Sequence, residues 1–121
     1  MFDSELQDPG ALYFAEGQYL SEHDQLAGNA RNNYGWRPIL FPTPDNIDNT
    51  GVTQMGDPAM YAWQASTDGV LIHDLAIENE GGTGIHGWMF VGSRAVDLGG
   101  GLWRYQYAVQ NGNSGRDGQS L

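Results

Sequence analysis

Three histidines, a run of acidic and amide side chains, two nearby glutamates and four tryptophans are the residues of this chain that could carry chemistry. Zinc asks for three or four ligands converging at ~2.0–2.3 Å. His23, His73 and His86 are scattered, without a His-x-x-x-His spacing, so no local segment offers even two imidazoles. His73 and Asp74 are neighbours, but successive side chains of a strand point to opposite faces, which keeps them from acting together. The run Asp45-Asn46-Ile47-Asp48-Asn49-Thr50-Gly51 is rich in oxygen, with Asp45, Asp48 and Asn49 as calcium candidates. Ile47 takes a ligand position and no Glu closes the loop, so a solvated acidic loop is the favoured reading and no cofactor is assigned.

Glu78 and Glu80 share a strand face and could imitate the paired carboxyls of a glycosidase, which stand ~5–9.5 Å apart. Beside Gly81-Gly82 they read more simply as a hydrated strand end. Ser114 lacks a Gly-x-Ser-x-Gly setting and an assignable His-Asp pair, which leaves no catalytic residue. Trp36, Trp63, Trp88 and Trp103 could stack on sugars, yet each falls in a predicted strand, where tryptophan commonly fills the core. Core is the favoured reading, and an exposed tryptophan would revive the sugar-binding one.

These side chains must be positioned by a small frame. The chain has 121 residues, room for one domain with one core. Its net charge is -10, and all five basic residues are arginine, so the surface repels nucleic acid and anionic lipid. No cysteine is present, which removes disulfides and thiolate metal sites. No apolar run approaches the ~18–20 residues of a membrane span, and Met1 to Glu5 has no signal-peptide character. Eighteen glycines and five prolines punctuate a chain that is 40% hydrophobic, a composition that predicts short strands and turns.

Strands are predicted over 11–20, 34–41, 59–65, 70–78, 85–96 and 102–110. The pattern Ser21-Glu22-His23-Asp24, with Gly28 as a stop, predicts one short helix over 21–28. Pro38 lacks an amide proton and so predicts an edge strand or a bulge. Residues 42–58 read as a long surface loop. Asp68-Gly69 and Gly99-Gly100-Gly101 read as hairpin turns, and Gly81 to Gly84 as a hinge. In the last strand Trp103, Tyr105, Tyr107 and Val109 fall on one face by the period of two. Burying the three rings would contribute roughly 11–19 kcal/mol as an upper bound, which predicts the best-ordered hairpin of the molecule.

Two stretches carry a resemblance. One runs through Glu16-Gly17-Gln18-Tyr19, Asp24, Gly28-Asn29, Asn32-Asn33-Tyr34 and Arg37-Pro38. The other joins Asp97-Leu98-Gly99-Gly100-Gly101 to Trp103, Tyr105, Tyr107-Ala108-Val109, Asn111, Asn113-Ser114 and Arg116. Together they resemble an uncharacterised family of exported β-sandwich proteins of environmental bacteria, and the resemblance implies an extracellular or cell-surface location. Gly112 and Gly115 stand where that pattern places a hydrophobic residue and an acid, an exchange expected to loosen the turn. The family continues from this turn into a further apolar strand, so the chain reads as an excerpt of a larger exported protein.

The expectation is therefore an all-β, immunoglobulin-like sandwich spanning 1–121 as a single domain. It is expected to act outside the cell as a non-catalytic structural or interaction module, associating with itself or a neighbouring domain by strand pairing along 103–109. A carbohydrate-binding module is the alternative, and a fragment of a glycoside hydrolase the second.

Overall fold

The computed structural model describes residues 8–19, 21–78 and 85–112. Among these residues seven strands form two antiparallel sheets. The first sheet holds β1 (Tyr13–Gln18), β2 (Tyr34–Thr43), β3 (Asn46–Asn49) and β4 (Gln54–Met55). β1 lies on one flank of β2, and β3 and β4 lie on the other. The second sheet is the meander β5 (Val70–Glu78), β6 (Ile85–Gly99) and β7 (Leu102–Asn111), in that order. Among the described residues β7 is an edge strand.

Two short helices interrupt the strands. α1 (Glu22–Leu26) occupies the predicted helical segment, and Gly28 ends it at a positive φ of 76°. α2 (Met60–Ser66) forms where a strand was expected over 59–65. The physical reason is legible in retrospect. Met60, Ala62, Gln64 and Ala65 are strong helix formers, and Pro58, one residue before the Ala59 cap, marks the point where the preceding extended chain stops. The segment 42–58 is likewise more ordered than a loop, since it carries β3 and β4.

Pro38 is not on an edge. β2 has neighbours on both flanks, and the proline sits where β3 and β4 part company. Its carbonyl accepts from the Thr50 amide at 3.2 Å, so its nitrogen faces the same flank, where no strand asks for a donor. The chain passes this point through Gly51, whose Cβ, if it had one, would lie 2.5 Å from the Pro38 ring. Neither an edge nor a bulge is found at Pro38: its pairing with Phe14 is in regular register, and the irregularity of β2 lies further on, between Leu40 and Thr43.

The core lies between α2 and one face of β5–β6–β7. Tyr34 and Phe90, 1% and 0% exposed, meet edge-to-face at 5.5 Å with Met60 beside them. Gly92 lets Trp63 of α2 lie close on the sheet, since a Cβ there would be 2.9 Å from the indole. Gly112 is buried too. A Cβ there would strike the Tyr34 hydroxyl and come within 2.7 Å of the Phe90 ring. Gly112 permits a tight joint, and its amide donates to the Trp88 carbonyl at 2.9 Å; the rest of the turn expected to be loose, Gly115 included, lies outside the described residues.

Candidate interaction surface

The β5–β6–β7 meander has two unlike faces, and the pairing register assigns every residue to one of them. Val91 pairs with His73 and Val109, Ser93 with Leu71 and Tyr107, Ala95 with Tyr105, and Asp97 with Trp103. Paired residues share a face. The alternate residues, Val70, Ile72, Phe90 and Gly92 among them, turn to α2 and the core.

The predicted strand 102–110 exists, and its side chains alternate as expected. The expected burial is overturned. Trp103, Tyr105, Tyr107 and Val109 are 53%, 61%, 72% and 60% exposed, and Leu71 across the sheet is 60% exposed. The reason is layering. α2 packs on β5 and against Gly92 of β6, and the turn end of the β6–β7 hairpin extends past it, so Arg104 and Gln106 on that face are exposed as well. On the open face Met89 is buried at 4%, and exposure along β6 grows from there through Val91 and Ser93 to Ala95 and Asp97. Antiparallel sheets do leave one face to water, but that face is ordinarily polar. Here it has the composition of a core.

The open face also has relief. Val91, Ser93 and Ala95 form a low central strip along β6, flanked by Tyr105 and Tyr107 on β7 and by Leu71 on β5. Its one carboxylate among the described residues is Asp97, at the turn end, where Oδ1 accepts from the Gly99 amide at 2.8 Å. The turn is the glycine hairpin expected from the sequence: Gly99, Gly100 and Gly101 take φ of 81°, 62° and 82°, a left-handed region that excludes most other residues.

The covered face carries a polar knot that sequence reasoning missed. Arg31, in the 3-10 turn Ala30–Asn32, donates through Nε to Asp74 Oδ2 at 2.6 Å, through Nη1 to the Gly56 carbonyl at 2.7 Å, and through Nη2 to Asp57 Oδ1 at 3.0 Å. Tyr61 donates to the other Asp74 oxygen at 2.7 Å. Burial opposes the Arg31 charge, but Asp74 and Asp57 outweigh it and hold the guanidinium pKa above its ordinary value. Burial and then Asp74 raise the Tyr61 phenol. The guanidinium also lies 5.1 Å from the Phe90 ring centre. Glu16 makes a second tie, accepting from both the Gln110 amide at 2.9 and 2.8 Å and the Ala59 N–H. Arg31 uses all three of its guanidinium nitrogens and Asp74 and Glu16 both of their oxygens within the fold, which makes the knots clamps between the sheets and the segment entering α2. No local spacing announces contacts between residues 31 and 74 or 16 and 110.

The other candidates are dispersed. Asp74 is taken up by Arg31 while His73 stands on the open face, so the pair is split as expected. Asp48 and Asn49 are successive residues of β3, paired with Leu40 and Ile39, and so face opposite ways. Among the described residues no three His, Asp or Glu side chains converge. Glu78 ends β5; Glu80, the 81–84 hinge, Asn113, Ser114, Gly115 and Arg116 lie outside the described residues. Trp36, Trp63 and Trp88 are partly buried, Trp63 on α2 and not on a strand, which leaves Trp103 as the exposed indole. No helix among the described residues is long and apolar enough to cross a membrane. Comparison with protein-family models, with curated proteins and with solved structures finds no match for this chain.

Proposed function

We propose that the chain is a non-catalytic structural or interaction module, acting outside the cell, in which β5–β6–β7 forms one layer of a sandwich completed by a partner. One observation carries the reading: four successive inward-type residues of β7 stand 53–72% exposed on an apolar sheet face. Monomeric soluble proteins seldom leave such a contiguous apolar patch open. The outer edge of β7, without a paired strand among the described residues, supports strand addition as a further contact along the same strand.

The test replaces Trp103, Tyr105 and Tyr107 together by serine. Circular dichroism is expected to keep its sheet signature, because the rings support no core contact, while binding of an apolar dye to the open face is lost. A collapse of the sheet signal would mean the rings stabilise the fold and would sink the reading.

Carbohydrate binding is the second reading, favoured by the exposure of Trp103 alongside two tyrosines. Oligosaccharides would shift or quench the fluorescence of the native protein and leave Trp103→Leu unchanged. No shift with any oligosaccharide tried, or an equal one in the variant, counts against it.

A further inference from the structure

We propose that the open face of β5–β6–β7 is closed by a second copy of the same chain, giving a face-to-face dimer with a six-stranded, two-layer core. This rests on the interaction reading above and names the partner. Three observations point to a copy of the chain itself.

The first is charge. The molecule carries -10, yet among the described residues the open face holds a single carboxylate, Asp97, at its rim. A basic partner would be met by acids spread over the face. A neutral apolar face in an acidic molecule is the one region where two copies approach without facing rows of like charge.

The second is area. Three aromatic side chains of ~150–250 Å² each, more than half exposed, supply on the order of 300–450 Å². With Leu71, Val109 and the rest of the face this nears the ~800 Å² per partner of a standard stable interface.

The third is relief. A ridge of Tyr105 and Tyr107 runs beside the low strip of Val91, Ser93 and Ala95. Turned about a twofold axis, the ridge of one copy meets the strip of the other, so a single surface supplies both halves of an interlocking contact. Sheets packed in this way stand ~10 Å apart with interleaved side chains.

The experiment is sedimentation equilibrium of the full chain from micromolar to several hundred micromolar, with hydroxyl-radical labelling of Tyr107 in the same samples. Tyr107→Glu and Tyr107→Lys are compared with the native chain and mixed with each other; circular dichroism confirms that both fold. The native chain is expected to dimerise with Tyr107 protected. Each variant alone is expected to dimerise about a hundredfold more weakly. The mixture recovers only the part of the loss that comes from like charge, because each residue 107 packs on the strip of the other copy and not on its counterpart. A native dimer that survives Tyr107→Glu unchanged overturns the proposal, since the contact then lies elsewhere. A monomer with Tyr107 open to labelling overturns the second copy and leaves the face to a different partner. A monomer with Tyr107 protected is covered by its own chain, which overturns both the second copy and the interaction reading.

Discussion

Tyr34 concentrates the tension in this fold. It is fully buried, and its hydroxyl and Gln18 Nε2, on the strand paired with it, meet without a well-formed hydrogen bond. Burial, reinforced by the Glu16 carboxylate, pushes the Tyr34 phenol up to about 12, and the Gln18 contact works against that upward shift. A folded-state pKa above the ordinary value means that the unfolded chain loses this proton first. The associated stability is therefore complete below about pH 10 and is lost as pH rises towards about 12. Tyr34→Phe is expected to flatten that alkaline loss. At neutral pH it should be neutral or stabilising by up to about 1 kcal/mol, because a buried hydroxyl without a well-formed hydrogen bond is removed. Thermal melts across the alkaline range decide the matter: an unchanged alkaline limb, or a loss of several kcal/mol at neutral pH, would refute this account.

At the scale of elements, the clamps decide how the pieces meet. Arg31 joins the 3-10 turn, the segment before α2, and β5. Arg31→Met is expected to cost roughly 1.5–3 kcal/mol, the range for hydrogen bonds to charged groups. The Arg31 and Asp74 side chains are only 22% and 26% exposed, so solvent replaces little of what is lost. Chemical denaturation should show a lower midpoint at an unchanged slope; a midpoint within error of the native one would mean the knot is ornamental. Such clamps were illegible in the sequence because they join residues far apart along the chain. Strands with clean alternation, β5, β6 and β7, were legible, as were α1 and the glycine turn. α2 is hard to read because Ala59 to Trp63 is one short apolar run with two aromatics, a pattern that a buried strand and a buried helical turn share. The face of β7 was right in phase and wrong in side: alternation tells which residues point together, but only a neighbouring layer decides whether they are covered.

For the whole molecule, charge and the open face pull in opposite directions. Fifteen acids against five arginines make every copy repel every other at long range. Raising ionic strength shortens that repulsion, with a Debye length of about 10 Å near 0.1 M salt. Dimerisation through a neutral apolar face should therefore tighten as salt is raised. Association driven by opposite charges would weaken instead, and sedimentation at two salt concentrations separates the cases. A dimer that loosens with salt would place ion pairs, and not the β7 rings, at the contact.

Gly112 has a consequence for the order in which the molecule assembles. β5, β6 and β7 follow one another, so their ladders close short loops and can form early, whereas Gly112 must find Tyr34 across most of the chain. Gly112→Ala, an overpacking change of about 1–3 kcal/mol, should accordingly speed unfolding and barely alter the refolding rate. Stopped-flow chevrons would show this directly, and a refolding arm slowed by the full amount would mean that the joint is already made at the rate-limiting step. In that late closure the meander would serve as the nucleus, and the remaining sheet as the piece that docks on it.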